Sequence, residues 1–119
     1  MDGIYNTCRE QHKICKEEEK DLAECKIPES RDGKCFVGCC FQEMTLITNG
    51  KFNKTSCQDL ATAMYGDDKD ELEKVMGVID KCEQEVTGND ICDNGPLLMS
   101  CIKNHGEGLF IPYPGMKFE

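Results

Sequence analysis

The stretch Cys35-Phe36-Val37-Gly38-Cys39 is the strongest indicator of the fold of this chain, because it places two cysteines four residues apart among small and apolar neighbours. On a helix, such residues project from the same face one turn apart. Cys35 and Cys39 can therefore bond to two different partners and tie one central helix to two other segments. The pattern predicts helices held together by disulfides.

Cysteine usage extends this pattern, since the chain carries ten cysteines in 119 residues. An even count at this density indicates a disulfide framework and an oxidising, extracellular compartment. Six cysteines form one ordered series with 26, 3, 42, 9 and 8 residues between successive members: Cys8, Cys35, Cys39, Cys82, Cys92 and Cys101. The other four are Cys15, Cys25, Cys40 and Cys57.

Charge and composition exclude several classes of partner. The chain has 23 acidic and 14 basic residues, a net charge of −9, which disfavours nucleic acid and anionic membrane surfaces. No apolar run approaches ~18 residues, so no membrane span is expected. Residues 1–4 lack the basic and apolar regions of a signal peptide, so a secreted protein would be represented here by its mature chain. The length predicts one domain over residues 1–119.

Hydrophobic periodicity predicts five or six short helices and no long strand. The predicted helices cover residues 4–24, 34–46, from Thr55 or Ser56 to about 65, 69–86 and 90–104. Asp32-Gly33 is interpreted as a turn before the second helix, and Asn49-Gly50 as a break after it. Pro96 suits the first turn of the last helix, whose Leu97, Leu98, Cys101 and Ile102 are expected to face inward. The fold class is all-α.

The cysteine series resembles that of the insect-type odorant-binding protein family, which includes the pheromone-binding and general odorant-binding proteins. The resemblance rests on the three-residue gap between Cys35 and Cys39, the eight-residue gap between Cys92 and Cys101, and the neighbouring stretches 33–36 and 49–52. It implies helices around an apolar pocket. It also implies the family's pairing: Cys8–Cys39, Cys35–Cys92 and Cys82–Cys101. Spacing alone leaves 15 connectivities open for six cysteines.

The four additional cysteines depart from the family pattern. A Cys40–Cys57 link is reasonable if their helices are joined by a short turn and lie antiparallel. It would leave Cys15–Cys25, which a straight helix would hold ~15 Å apart, far beyond the ~6 Å between bonded Cα atoms. Either the helix breaks between them or the four cysteines pair otherwise.

An apolar cavity is the predicted site. Six methionines, five phenylalanines and no tryptophan suit a surface that adapts to varied apolar partners, and the resemblance implies a pocket for small volatile or lipid-like molecules. The predicted lining is Phe36, Met44, Leu60, Met64, Val75, Met76, Ile79, Leu98 and Ile102.

The chain end is unusually apolar, with the stretch Leu109-Phe110-Ile111-Pro112-Tyr113-Pro114. Termini are normally polar and frayed, so residues 106–119 are expected to pack on the domain. In the family such a tail can cover the pocket. Phe110, Ile111 and Tyr113 are therefore predicted to cover or enter it, and Tyr113 offers a polar group for a ligand.

Catalytic and metal-binding patterns are missing from the sequence. The histidines are His12 and His105, with no C-x-x-C pair and no G-x-S-x-G motif, so no enzyme, metal or cofactor is expected. His105 lies between the last helix and the tail, where its protonation is a candidate trigger for loosening a lid. Asn53-Lys54-Thr55 has the form of a glycosylation acceptor.

Together these features predict a secreted, monomeric carrier that binds a small apolar ligand such as an odorant, pheromone or lipid-like molecule, with a membrane receptor as a further possible partner. The alternative is a disulfide-rich secreted interaction protein or scavenger of the venom or salivary type.

Overall fold

Six helices and one small hairpin form the described part of the molecule. The structure, a computed structural model, describes residues 2–12, 14–23 and 26–106. The helices are α1 Asp2–Gln11, α2 Lys16–Ala23, α3 Arg31–Glu43, α4 Lys54–Tyr65, α5 Lys69–Glu85 and α6 Ile91–His105. The strands are β1 Ile47–Thr48 and β2 Lys51–Phe52. The all-α prediction is confirmed. Across the described ranges, no helix combines the length and the apolar character needed to cross a membrane.

Side-chain caps set the beginnings of the last four helices. Ser30, Asn53, Asp68 and Asp90 each accept a hydrogen bond from the backbone N–H three residues on, which satisfies a donor that the helix cannot pair. The start of α3 at Arg31 shows that the predicted turn at 32–33 is wrong. Asn53, rather than Thr55 or Ser56, caps α4.

The predicted first helix over residues 4–24 is two helices, with a break after Gln11. Cys8 and Leu22 are both fully buried, yet in one straight helix they would lie ~21 Å apart along the axis. A bend between α1 and α2 lets both reach the same core. An ion pair between Arg9 and Glu19 joins the two helices across the bend.

A two-stranded hairpin occupies the segment for which only a break was predicted. Ile47 pairs with Phe52 in antiparallel register, and Ile47 is fully buried. Asn49 and Gly50 adopt positive φ angles of 54° and 80°, the conformation that asparagine and glycine tolerate in tight hairpin turns. Strands of two residues are too short to show alternation in a sequence.

The closest helix packing is the α3–α6 crossing, defined by Gly38, Gly95, Cys35 and Cys92. A Cβ atom on Gly38 would overlap the backbone of Ile91, and one on Gly95 would overlap the backbone of Gly38. Only glycine lets the two helix backbones approach this closely. The Cys35–Cys92 disulfide spans the same contact, with its Cα atoms 3.9 Å apart. Pro96 is the sixth residue of α6, one turn later than predicted.

Among the described residues, three disulfides link Cys8 to Cys39, Cys35 to Cys92 and Cys82 to Cys101, the pairing that the resemblance implied. They tie α1 to α3, α3 to α6 and α5 to α6. Each closed loop stabilises the fold by about 3–4 kcal/mol in a chain-entropy treatment.

The predicted Cys40–Cys57 link is wrong, because both thiols are free and buried. Helix α3 packs against α6 and α1, whereas α4 packs against α5, so the helices that carry these thiols are not antiparallel neighbours. The predicted Cys15–Cys25 link is also wrong, because the Cys15 thiol is free and exposed. Cys25 itself lies outside the described residues, beyond the eight-residue helix α2.

Candidate functional site

An apolar cavity lies between α4, α5 and α6, with the hairpin along one side. The space that the centre of a water-sized molecule can occupy is about 50 Å³, and the unfilled space is about 490 Å³ when the opening to solvent is counted. The smaller value describes the cavity itself, because the larger one includes open solvent. The lining is Leu46, Phe52, Cys57, Leu60, Ala61, Met64, Tyr65, Val75, Val78, Ile79, Cys82, Leu98 and Ile102.

Helical periodicity brings these side chains together. The α4 residues of the lining fall at relative positions 0, 3, 4, 7 and 8 from Cys57. The α5 residues fall at 0, 3, 4 and 7 from Val75, and Leu98 and Ile102 lie four apart on α6. Each set is one apolar stripe of an amphipathic helix. Three such stripes converge on one space.

Six of the nine helix residues predicted as lining contact this cavity: Leu60, Met64, Val75, Ile79, Leu98 and Ile102. The other three do not line it. Phe36 is fully buried in the core, while Met44 and Met76 are half-buried and pack against it. The sequence showed that these side chains face inward, but not whether neighbouring atoms fill the space beside them. Phe110, Ile111 and Tyr113 lie outside the described residues.

Seven lining residues were missed, although several carried a signal. Ala61 and Tyr65 directly follow Leu60 and Met64 and lie on the same side of α4. Val78 lies three residues after Val75 on α5. Leu46 and Phe52 had no such signal, because the hairpin places them beside α4. Cysteines 57 and 82 were interpreted only as disulfide partners.

The polar groups of the described lining are the Cys57 thiol and the Tyr65 hydroxyl. Burial raises the pKa of Cys57 to about 12, so the thiol stays protonated at neutral pH and behaves as a small apolar group. Its Sγ lies 4.0 Å from the carbonyl oxygen of Leu46. In α3, burial and then the charge of Glu43 raise the pKa of the Cys40 thiol to about 12 as well.

A charged network lies at the start of α4, outside the lining. Lys54 Nζ is 3.0 Å from Asp80 Oδ1 and 3.4 Å from Glu83 Oε1. Hydrogen bonding to Asp80 raises the pKa of Lys54, with desolvation opposing this shift and Glu83 adding to it. The network connects α4 to α5, two of the helices that line the cavity.

The far end of the cavity is braced between α5 and α6. The Cys82–Cys101 disulfide joins the helices, and His105 Nε2 lies 2.6 Å from Glu85 Oε2. These contacts hold the ends of α5 and α6 together, while the lid that His105 was predicted to loosen lies outside the described residues. Cys101 Sγ lies near this pair, but its disulfide bond removes the thiolate that a metal ion would need.

A second depression, of about 380 Å³, is lined by charged and apolar residues near the start of α6. It is open to solvent and includes Lys34, Asp93 and Leu97. Leu97, predicted to face inward, is 37% exposed here. An apolar molecule in this depression would remain in contact with water, so the enclosed cavity is the better candidate site.

Two relatives from Drosophila melanogaster resemble the chain in sequence. General odorant-binding protein 19d is 27% identical over 108 residues, covering 87% of this chain and 72% of the relative. General odorant-binding protein 19a is 31% identical over 80 residues, covering 66% of this chain and 55% of the relative.

Solved structures share the fold. The odorant-binding protein dmelOBP28a from Drosophila melanogaster superposes with a TM-score of 0.74 at 17% identity, over 91% of this chain and 92% of that one. The fatty acid binding protein OBP56a from the oral disk of the blowfly Phormia regina gives 0.68 at 24% identity, over 91% and 90%. Residues 1–105 match the PBP/GOBP family. With its cysteine frame, helices and family match in agreement, this chain belongs to the PBP/GOBP family of insect odorant-binding proteins.

Proposed function

We propose that this protein is a secreted carrier that binds a small hydrophobic molecule reversibly in the cavity between α4, α5 and α6. The observation that carries the proposal is the convergence of three apolar helix stripes on one space. Leu60, Ile79 and Leu98 represent the three walls. Transfer of apolar surface from water into such a space is favourable by about 25 cal/mol per Å².

The cavity must widen to hold a ligand, because its enclosed volume of about 50 Å³ has room for only a few water-sized molecules. Three half-buried residues, Leu60, Met64 and Tyr65, supply side chains that can move. Methionine suits this role, since its unbranched side chain changes shape at little cost. We therefore expect a ligand to displace the α4 side chains rather than the disulfide-linked frame.

The names of relatives support the ligand class. Two relatives are called general odorant-binding proteins, and a structural neighbour is called a fatty acid binding protein. An odorant, pheromone or lipid-like molecule is accordingly the proposed cargo. The protein acts as a monomer without catalysis, and a membrane receptor is a further proposed partner.

The apolar tail is proposed to cover the opening of the cavity. Phe110 and Ile111 would add apolar contacts, and Tyr113 a hydroxyl for the ligand. Support comes from the sequence, because the stretch 109–114 is apolar. Deletion of residues 108–119 should weaken binding of the apolar fluorophore N-phenylnaphthylamine, and unchanged affinity would contradict the lid.

Saturable binding of N-phenylnaphthylamine, and its displacement by decanol, tests the carrier function. Ala61 is 3% exposed and lines the cavity, so Ala61→Leu should fill it and reduce affinity about tenfold or more. Ala63 is exposed on the same helix, so Ala63→Leu is the matched control and should leave affinity unchanged. Thermal unfolding of both variants verifies that they fold.

Absence of saturable binding in the wild-type protein would contradict the proposal. It would favour the alternative of a disulfide-rich interaction protein with a filled core. Equal loss of binding in both leucine variants would place the site elsewhere.

A further inference from the structure

We infer that the cavity selects uncharged ligands over ionised ligands of the same chain length, and discriminates most strongly against carboxylates. The inference rests on the proposed carrier function and names the ligand class of the same site. It follows from three features of the described residues: the lining, the network around Lys54 and the charge of the surrounding helices.

The lining solvates an uncharged chain and not an ion. Its walls are aliphatic side chains with Phe52, Met64 and Tyr65, and its thiols are either bonded or protonated. An ion that enters an apolar site loses its hydration without gaining a partner charge, which is far more costly than the burial of a neutral polar group. A ligand that carries an alcohol or an ester therefore enters more readily than one that carries a charge.

The lysine at the start of α4, a lining helix, is already paired with carboxylates. Lys54 starts α4 and is hydrogen-bonded to both Asp80 and Glu83. A ligand carboxylate would have to compete with two protein carboxylates for this ammonium group. Lys54 thus stabilises the contact between α4 and α5 and is not available as a ligand-binding cation.

The surrounding helices repel anions. Residues 54–105, which include α4, α5 and α6, contain five basic and eleven acidic residues. Their combined field lowers the local concentration of anions and raises that of cations. A carboxylate is opposed both outside and inside the cavity, whereas an amine is attracted outside and opposed only inside. The expected order of affinity is neutral, then amine, then carboxylate, which would distinguish this protein from the structural neighbour that is called a fatty acid binding protein.

A matched ligand series tests this order through displacement of N-phenylnaphthylamine at pH 7. Decanol and methyl decanoate should bind at least about tenfold more tightly than decanoate. The affinity of decylamine should lie between those of the neutral ligands and decanoate. When the pH is lowered through the carboxyl pKa of the ligand, decanoic acid should approach decanol, while methyl decanoate at the same pH serves as the control for the protein itself.

A charge placed in the lining provides the second test. Met64 is half-buried at the cavity, so Met64→Lys should move the preference toward decanoate by about tenfold. Met64→Gln is the control without charge and should keep the original order. Thermal unfolding of both variants shows whether each is folded.

Two results would overturn the inference: decanoate that binds the wild-type protein as tightly as methyl decanoate at pH 7, or a ligand order that Met64→Lys leaves unchanged while the variant is folded. Failure of the proposed function is distinguishable, because then no member of the series displaces the fluorophore at any pH.

Discussion

The α3–α6 crossing and the cavity between α4, α5 and α6 are packed in opposite ways within one small protein. At the crossing, Gly38 and Gly95 bring two backbones into contact and the Cys35–Cys92 bond locks them. At the cavity, helices of ordinary side chains leave space between them. A tight backbone contact closed by a disulfide thus coexists, in one small core, with space that side chains do not fill.

Both regions share α6, which connects them mechanically. Its first half crosses α3, and its second half presents Leu98 and Ile102 to the cavity. Asn94 fixes the first half, since its buried side chain donates to the carbonyl oxygens of Gly50 and Gly88 and accepts from the Gly88 N–H. The hydrogen bonds of Asn94 therefore fix the half of α6 at the crossing, and through it the half that lines the cavity.

The largest expected effect comes from adding one methyl group at the crossing. Gly38→Ala should destabilise the protein by more than about 4 kcal/mol, since the new Cβ overlaps the backbone of Ile91. Gly77, on α5, is exposed with open space around it, so Gly77→Ala should stabilise by about 0.5–1 kcal/mol. Chemical denaturation measures both. A mild effect of Gly38→Ala would break the comparison.

The next effect concerns the buried amide that holds α6. Asn94→Ala should cost roughly 3 kcal/mol, because it leaves one N–H and two carbonyl oxygens without this partner. Asn104 is exposed near the end of the same helix, and Asn104→Ala is expected to change stability by less than about 0.5 kcal/mol. If the two variants unfold at the same temperature, Asn94 does not hold the wall.

An identical truncation on the two sides sharpens the contrast. Val37 is fully buried in α3, and Val78 lines the cavity. Val37→Ala should cost roughly 2–3 kcal/mol and leave ligand affinity unchanged, while Val78→Ala should cost roughly 1–2 kcal/mol and alter affinity. Denaturation and fluorophore titration report the two effects. Altered affinity in Val37→Ala alone would reverse the assignment of the two regions.

The smallest expected effect is a loss of stability at alkaline pH. It compares how well the buried thiols of Cys40 and Cys57 are shielded from water. Burial raises the pKa of Cys40 and of Cys57 to about 12, whereas unfolded thiols ionise near ~8.5. The unfolded state therefore gains from ionisation first, and stability falls as the pH rises from about 8 to 12. Each thiol should contribute about 1 kcal/mol to the loss between pH 7 and pH 9.

Single variants isolate these contributions. In a Cys15→Ser background, which limits disulfide exchange, Cys40→Ala and Cys57→Ala should each flatten the alkaline decline by the same amount. If stability declines at alkaline pH by the same amount in Cys57→Ala, water reaches the cavity thiol in the folded protein.

The parts of the fold that rest on local pattern were predictable from sequence. The bounds of α5 were predicted to within one residue, because Leu72, Val75, Ile79 and Cys82 repeat at helical spacing, whereas the disulfide pairing was implied by the family resemblance and not by spacing. The same stripe rule identified six cavity residues. These features depend on neighbours within one or two helical turns.

The remaining features depend on contacts between distant segments. Gly38 lies in the stretch 35–39, but the close approach that requires glycine there is made by the backbone of Ile91, more than fifty residues later. The break after Gln11 carries neither glycine nor proline and follows from the core that Cys8 and Leu22 must share. Phe36 and Leu60 look alike in sequence, and only the packing around them separates core from lining.

The ligand is expected to enter between α4, α5 and α6 and not near the crossing. A titration of methyl-labelled protein with decanol, followed by nuclear magnetic resonance, distinguishes these two places. We expect saturable shifts of the methyl groups of Ile79, Leu98 and Ile102, with the methyl groups of Val37 unchanged. Equal shifts at Val37, or no saturable shift at the cavity methyls, would contradict this site.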